Sequence, residues 1–538
     1  MTSEKNELKW RLDKELSEIS KKDLDVDESF VKIKAIKSKI RECADRERKG
    51  IQLRAKARYK HLGERCTKYW FGLKKERLDD TMIPALRQRN KKITQKTSEM
   101  TKIAVEHHAE LQAKQKLTQD RREAIEELKK DITNKLTQSE VEALKEFTKT
   151  EEIVQALKAA SNGTTPGKDG IPYEFYKIWT QKKKEDPRNR NLPDIVNILG
   201  MLYYNIEKEG VRAPDKSNEE TAKFTDSIMI LIYKKKDKLD IANYRPITLL
   251  NTDYKIYTKT IAVKLGEVAK TRIHENQAGF VPGRSIFDHT NTMHLVIEYC
   301  ELAEENGCIV ALDQEKAYGK IDHKYLWEVL KEFGFPQEFR GRVQQLYKGV
   351  DKQVLLNGLL SERFRIERGV HQGDPMSCIL YNFAIEPLGQ RIRRSNLRGF
   401  VVPGKEERLV VNMFADDTLA YLHENDSLEE LHQIIDTFCK ASTARFNKQK
   451  TEYLPIGSKK FRKAVVRTKT VAGKRIEETA GLIKDGQAMR TLGAWVGNNV
   501  DPAAHWDKVL EAQQKVIKAW SSAHLSFKGK ELVLKALV

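Results

Sequence analysis

Two adjacent aspartates, Asp416 and Asp417, are the residues of this sequence whose types and spacing most clearly suggest chemistry. They separate two mostly apolar runs, 410–415 and 418–422, which predict two short strands joined as a hairpin. Glycine and asparagine, which tight hairpin turns favour, are missing from the tip. Because like charges repel, this pair predicts a bound divalent cation, and Mg²⁺ favours a few carboxylates together with phosphate oxygens. A solvated acidic turn is the alternative for an Asp-Asp pair taken alone.

A third carboxylate, Asp313, directly follows the apolar run 308–312. That run predicts a buried strand that ends at the aspartate. Ligands at the ends of two distant strands can meet at one edge of a sheet. Two metal ions held there would stabilise an attacking 3′-oxygen and a leaving pyrophosphate. The combination of Asp313 with the Asp416–Asp417 hairpin therefore predicts a two-metal site.

The segments around these aspartates resemble, in order, the motifs of reverse transcriptases. Residues 312–318 resemble the first catalytic motif, and residues 414–417 resemble the second metal-binding motif. Residues 243–250 resemble the fingers motif, and residues 277–285 resemble the segment that follows it. Residues 368–377 resemble the template-and-nucleotide motif. The style is similar to that of non-LTR (LINE-type) retrotransposon enzymes. The resemblance runs from about residue 150 to the end of the chain.

This resemblance implies an α+β right-hand polymerase fold with fingers, palm and a partial thumb. The predicted divisions are a basic helical N-terminal extension over 1–145 and the fingers with the start of the palm over 146–300. The palm with the catalytic aspartates follows over 301–500, and a partial thumb over 501–538. It also implies an RNA-directed DNA polymerase, a nucleotidyltransferase that extends a DNA primer on an RNA template with dNTPs. Asp313, Asp416 and Asp417 would hold two Mg²⁺ ions, with Mn²⁺ as an alternative.

The resemblance assigns charged residues to the phosphates of the nucleotide. Lys234 follows a predicted strand over 227–233, and Arg245 lies in the fingers motif. An arginine fork can bind phosphate oxygens bidentately, while a lysine adds a point charge. Lys450 lies in a segment similar to the motif whose lysine is near the leaving pyrophosphate, which predicts a general acid.

Three further residues are assigned to the sugar and the bases. Tyr318 stands where the family has an aromatic side chain that excludes a 2′-hydroxyl, and a core tyrosine is the alternative. Gln372 is expected to hydrogen-bond the incoming nucleotide or the template. Gly373, which lacks a Cβ, is expected to let the backbone approach a base pair closely.

The chain of 538 residues carries 98 Lys and Arg against 78 Asp and Glu, a net charge of +20. This excess favours polyanionic partners, here an RNA template and a DNA primer or target, and a ribonucleoprotein with the element's own RNA. Within 51–100 the count is 14 against 5, interleaved with aromatic residues such as Tyr69 and Trp70. That stretch predicts either RNA contacts or solvated helices around a small core. No secretory signal, membrane-spanning run or Cys-x-x-Cys pair is found, so an intracellular protein of nucleus or cytoplasm is expected.

Local patterns predict several elements that would position these residues. They are a helix capped by Thr150, an apolar helix over 194–206, a helix over 376–393, an amphipathic helix after Ser427, a turn at 492–493 and a helix over 505–520.

Two departures from the family pattern leave alternatives open. Gly319 stands where the family has Asp, and His371 stands where Arg is common. The apolar end at 532–538, with no endonuclease or C-terminal region in view, suggests a fragment. Gly319 and the short thumb leave open a catalytically decayed RNA-binding remnant. A separate alternative is an intron-encoded maturase-like reverse transcriptase, which would need a maturase region after the thumb.

Overall fold

The computed structural model describes residues 82–189, 191–211, 224–401, 407–478, 480–521 and 525–537, with four single helical positions at 35, 38, 39 and 42. The chain divides into two compact units, one of Asp79–Asp501 and one of Met1–Leu78 with Pro502–Val538. The boundaries proposed at 145 and 300 both fall inside the first unit. Most of the basic and aromatic stretch over 51–100, up to residue 81, lies outside the described residues.

The strands follow the apolar runs of the sequence closely. They are β1 (Leu86–Arg87), β2 (Ile93–Thr94), β3 (Ser227–Tyr233), β4 (Tyr244–Leu250), β5 (Gly307–Leu312), β6 (Asp351–Leu356), β7 (Leu359–Leu360), β8 (Phe364–Arg365), β9 (Val411–Phe414), β10 (Asp417–His423), β11 (Glu452–Ile456), β12 (Thr470–Val471), β13 (Lys474–Arg475), β14 (Gly481–Leu482), β15 (Met489–Thr491) and β16 (Ala494–Val496).

Helices make up most of the remaining regular structure. They are α1 (Thr97–Leu111), α2 (Gln119–Lys129), α3 (Gln138–Lys145), α4 (Thr150–Ala159), α5 (Tyr173–Glu185), α6 (Ile195–Glu209), α7 (Thr252–Arg272), α8 (Ile286–Ala303), α9 (Ala317–Lys320), α10 (His323–Glu332), α11 (Gln337–Tyr347), α12 (Ser377–Arg394), α13 (Leu428–Ser442), α14 (Lys459–Thr468), α15 (Pro502–Ser521) and α16 (Phe527–Leu537).

The central sheet has the strand order β14-β11-β5-β10-β9. Its middle strand β5 is buried along almost its whole length, as its unbroken apolar sequence requires. Strands β10 and β11 both run antiparallel to β5, one on each side. This arrangement brings the end of β5, the start of β10 and the start of β11 to one edge of the sheet.

A second sheet has the order β4-β3-β6-β7, with β8 also paired to β6. Strands β3 and β4 form an antiparallel pair over seven residues each, from Ser227↔Leu250 to Tyr233↔Tyr244. Strand β6 runs parallel to β3. This sheet carries the basic segment that follows β3, which the sequence assigned to phosphate binding.

Helices α10, α12 and α13 pack together in the largest apolar core, beside the central sheet. Most residues of α12 are buried, and α13 buries the stripe predicted for it: Leu428, Leu431, Ile434, Ile435 and Phe438. Helix α2 of the predicted N-terminal extension also packs on α13. Its Arg121, 5% exposed, pairs with Asp322 at 2.5 Å, so this part of the extension is built into the core.

Most predicted elements are confirmed within a few residues. The strand over 227–233 is β3, the helix over 194–206 is α6, and the helix over 376–393 is α12. Ser427 caps α13 by accepting a hydrogen bond from the backbone of Glu430 at 3.2 Å. The prediction that Thr150 caps a helix is wrong by one position, because Lys149 has the extended cap conformation and Thr150 is already helical.

Helices α15 and α16 belong to the second unit and are described by themselves. The predicted helix over 505–520 is confirmed as α15. Trp520 of α15 and Val533 of α16 form a small buried cluster. Val516, Leu525 and Leu532 pack around it.

Candidate active site

The Asp416–Asp417 pair lies in a tight hairpin, as predicted. Phe414 of β9 pairs with Asp417 of β10, so Ala415 and Asp416 form a two-residue loop. Ala415 has a φ of +56°, a left-handed conformation that glycine usually supplies in such loops. An alanine in this region costs on the order of 1–2 kcal/mol, so neighbouring contacts must hold it there.

The three aspartates meet at one edge of the central sheet. The last β5–β10 pair is Leu312 with Thr418, and one further step along that register places Asp313 opposite Asp417. Asp416 is adjacent at the tip of the hairpin. The structure thus brings together the three carboxylates that the sequence assigned to one site.

The surroundings of Asp416 and Asp417 favour the protonated forms of these two carboxyl groups. Burial raises the pKa of Asp416, and the Asp313 charge raises it further. Burial, Asp416 and Asp313 together raise the pKa of Asp417 to about 6, although its side chain reaches solvent. Like charges forced together at partial burial have this effect. A divalent cation would relieve the same repulsion, so the donor set fits the metal role predicted for it.

Within the described residues, no three His, Cys, Asp or Glu side chains already form a metal-binding cluster. The Lys450 ammonium lies 3.2 Å from Asp313 Oδ2 and partly neutralises the site. Mg²⁺ is typically held by one or two carboxylates together with substrate phosphates rather than by a complete protein cage. The arrangement suits a metal that arrives with a phosphorylated ligand.

A cleft of about 480 Å³ opens in front of the aspartates. It is lined by eight of the nine predicted site residues: Lys234, Arg245, Asp313, Tyr318, Gln372, Asp416, Asp417 and Lys450. Gly373 is the predicted residue that does not line it. Lys235, Lys236 and Lys316 add further positive charge to the walls. A cleft with carboxylates at its base and cations along its wall suits a metal-bound polyphosphate.

Lys234 and Arg245 lie where β3 ends and β4 begins. The Lys234 backbone N–H donates to the Asn243 carbonyl at 3.0 Å, which closes the connection between the two strands. Both side chains are exposed in the cleft. Burial and the Arg245 charge lower the pKa of Lys234, which is typical of cations clustered to receive an anion.

Tyr318 lies at the cleft in the short helix α9, directly after the loop that carries Asp313. Its ring stacks on Tyr381 of α12, with centroids 4.7 Å apart and planes 25° from parallel. The Tyr381 hydroxyl donates to Gln314 Oε1 at 2.5 Å. The Tyr318 ring is therefore supported from behind and fixed in position, as a steric gate requires.

Gln372 and Gly373 approach strand β4. The Thr248 N–H donates to the Gln372 carbonyl at 2.8 Å. Gly373 has a φ of +117°, and a Cβ there would lie 2.6 Å from the Thr248 carbonyl oxygen. The sequence interpretation assigned this glycine to a base pair. In the structure the close backbone approach is to Thr248, so the protein itself requires the glycine.

The two departures from the family pattern have clear structural settings. A Cβ at Gly319 would meet Leu111 of α1 at 3.5 Å, an ordinary contact. His371 is 1% exposed and stacks on Tyr347 at 4.8 Å, and its burial lowers its pKa. His371 is therefore a core histidine that supports the loop from inside.

Sequence reasoning missed two residues that hold the site together. Lys316 Nζ donates to the Ala242 carbonyl at 2.6 Å, which ties the Asp313 loop to the β3–β4 connection. Gln277 is fully buried and hydrogen-bonds the backbone of Ala415 in the hairpin. Both lie inside segments already quoted as motifs, but nothing in residue type alone shows that a side chain bonds to distant backbone.

Comparisons with known proteins agree with this geometry. Residues 233–473 match the family described as reverse transcriptase (RNA-dependent DNA polymerase). That range contains every predicted site residue, and this part of the chain is a reverse transcriptase domain. Members of this family use divalent metal ions and act on a nucleic acid template and primer.

Several relatives are proteins of transposons and retrotransposable elements. The transposon TX1 uncharacterized 149 kDa protein of Xenopus laevis is 31% identical over 310 residues, 58% of this chain and 22% of that protein. The Pol polyprotein of the R2DM element of Drosophila melanogaster is 26% identical over 35% of this chain and 17% of its own length. The probable RNA-directed DNA polymerase from transposon BS of Drosophila melanogaster is 23% identical over 56% of this chain and 31% of its own length. The matches thus cover less than a third of each of these relatives.

None of the described helices combines the length and the apolar character needed to cross a bilayer.

Proposed function

We propose that this chain extends a DNA primer along an RNA template by transferring nucleotides from dNTPs, as a non-LTR retrotransposon reverse transcriptase. The observation that carries the proposal is the meeting of Asp313, Asp416 and Asp417 at one sheet edge, facing a cleft lined by cations. In this assignment residues 146–300 supply the fingers and the start of the palm, 301–500 the palm, and 501–538 part of the thumb, after an N-terminal extension over 1–145.

In this proposal the three aspartates hold two Mg²⁺ ions, with Mn²⁺ as an alternative. The ions would neutralise charge on the attacking and leaving oxygens of the displacement. The raised pKa of Asp416 and Asp417 supports the assignment, because repulsion between the carboxylates is what cations would remove. The donor set contains only oxygen ligands, which hard divalent cations prefer.

The cleft walls are assigned to the nucleotide. Lys234 and Arg245 would bind triphosphate oxygens, and Gln372 would hydrogen-bond the nucleotide or the template. Tyr318 would close the space that a ribose 2′-hydroxyl needs. Lys450 would give a proton to the leaving pyrophosphate, and its position beside Asp313 keeps its ammonium at the reacting end of the cleft.

The nucleic acid partners follow from the same assignment. A net charge of +20 supports binding of an RNA template and a DNA primer through their phosphates. A ribonucleoprotein with the element's own RNA, and an intracellular location in nucleus or cytoplasm, are part of this proposal.

Primer extension on an RNA template tests the proposal, with the parent chain, Asp416→Asn and Asp436→Asn compared. Asp436 is exposed on α13, outside the cleft lining, and controls for the change of aspartate to asparagine. We expect Asp416→Asn to lose extension while RNA binding in a gel shift stays close to that of the parent. Extension retained by Asp416→Asn would overturn the assignment.

A further inference from the structure

The hairpin that carries Asp416 and Asp417 is held by a neighbouring segment outside the sheet. Residues 276–279, between α7 and α8, run alongside β9, the edge strand of the central sheet. The Met413 N–H donates to the Asn276 carbonyl at 2.6 Å, and the Ala278 N–H donates to the Met413 carbonyl at 2.9 Å. The segment therefore continues the sheet by one short strand and ends beside the hairpin tip.

Gln277 reaches from this segment to the hairpin backbone. Its Oε1 accepts hydrogen bonds from the Ala415 N–H at 2.8 Å and from the Gly279 N–H at 2.9 Å. Its Nε2 donates to the Ala415 carbonyl at 3.3 Å. One buried amide thus satisfies both backbone polar groups of Ala415. A buried amide with both functions used in this way fixes local geometry, because each lost bond leaves a polar group without a partner.

The residue that Gln277 holds is the strained one. Ala415 has a φ of +56°, whereas two-residue hairpins with this backbone favour glycine at that position. The backbones of Gly279 and Ala415 also lie against each other, because a Cβ on Gly279 would lie 2.3 Å from the Ala415 nitrogen. Asn382, fully buried on α12, donates to the Gly279 carbonyl at 2.5 Å and fixes the segment from behind.

From these contacts we infer that Gln277 is a positioning residue, which holds Ala415 in its left-handed conformation and thereby aims the Asp416 and Asp417 carboxylates into the cleft. The inference deepens the proposed function and rests on it for the metal role of the two aspartates. Gln277 does not line the cleft, so it acts through the hairpin and is not a catalytic residue.

The matched substitution is Gln277→Met, which keeps the side-chain length and removes the hydrogen bonds. Gln390→Met is its control, since Gln390 is a buried glutamine on α12 that bonds Glu386 and not the hairpin. The decisive partner is Ala415→Gly, because glycine adopts the left-handed conformation without the clamp. The four combinations at positions 277 and 415 form a double-mutant cycle.

Two readouts are measured on each variant. Amide hydrogen exchange of the peptide around Ala415, in metal-free protein, reports the hairpin itself. The single-nucleotide extension rate at saturating dNTP reports the aim of the carboxylates. We expect Gln277→Met to lose protection at the hairpin and to slow extension about tenfold or more with little change in KM for dNTP. Ala415→Gly should restore most of the rate in the Gln277→Met background, and Gln390→Met should change neither readout.

Other outcomes separate the inference from the function on which it rests. Parent-like exchange and rate in Gln277→Met would overturn the inference. A slow Gln277→Met that Ala415→Gly does not rescue would overturn it too, because the glutamine would then serve general stability. A parent chain that extends nothing would count against the proposed function, while the exchange data would still decide whether Gln277 holds the hairpin.

Discussion

Lys450 Nζ and Asp313 Oδ2 lie 3.2 Å apart, just beyond the end of β5. Lys450 is the last residue of a short 3₁₀ helix, Lys448–Lys450, which lies just before β11. The helix is anchored beside Asp313, because the Asn447 N–H donates to the Asp313 carbonyl at 2.8 Å. Asp417 lies opposite Asp313 on the other side, through β10. Asp313 therefore has the Asp417 carboxylate on one side and the Lys450 ammonium on the other.

Replacing Lys450 should impair the chemical step more than substrate binding. If Lys450 donates a proton to the leaving pyrophosphate, Lys450→Ala should lower the extension rate by roughly 100-fold or more, the usual contribution of a general acid. The KM for dNTP should change little. Lys460→Ala, at an exposed position of α14, is the control and should extend at the parental rate. An unchanged kcat in Lys450→Ala would remove the general-acid assignment.

Shortening Tyr318 should relax the choice of sugar. The ring is held by its stack on Tyr381, so Tyr318→Ala would open space where a ribose 2′-hydroxyl would lie. We expect the preference for dNTP over rNTP, measured as the ratio of kcat/KM, to fall by about tenfold or more. Tyr318→Phe keeps the ring and should keep the preference. A preference unaltered in Tyr318→Ala would show that another group excludes the hydroxyl.

A side chain at position 373 should destabilise the fold. In Gly373→Ala the Cβ would lie 2.6 Å from the Thr248 carbonyl oxygen, at a φ of +117°. The expected loss is about 1–3 kcal/mol in the free energy of unfolding, measured by denaturant titration. Gly486→Ala has a positive φ of +82° but nothing within 4 Å of the added Cβ, so it should cost less. Equal costs for the two variants would contradict the close approach to β4.

The raised pKa of Asp417 predicts how stability depends on pH without metal. The folded form holds its proton up to about pH 6, whereas the unfolded carboxyl has its ordinary pKa of 3.8. Between these values the folded state binds more protons, so this group's contribution to stability is full below the lower pKa and is lost as pH rises through 6.

Added Mg²⁺ should raise the melting temperature little at pH 5 and clearly at pH 7.5, because binding needs the ionised carboxylates. Thermal melts with and without Mg²⁺ across this range provide the measurement. Asp417→Asn should flatten the metal-free dependence and weaken the stabilisation by Mg²⁺. An equal Mg²⁺ effect at both pH values in the parent chain would contradict the electrostatic account of the site.

Elements that depend on residue pattern could be predicted from the sequence, and contacts between distant segments could not. The apolar run before Asp313 and the stripe after Ser427 predicted β5 and α13, because burial of one face leaves a readable period. The approach of Gly373 to Thr248 and the bond from Gln277 to Ala415 join residues 125 or more positions apart. Such contacts depend on how complete helices and strands pack against one another, which the local residue pattern does not encode.

The most direct test of the central claim is single-turnover addition of one dNTP to a DNA primer on an RNA template, with Mg²⁺, by the parent chain and by Asp313→Asn. Template binding is measured on the same samples. The account predicts addition by the parent, loss of at least about 1,000-fold in the variant, and equal binding by both. Addition by Asp313→Asn at a rate near that of the parent would contradict it.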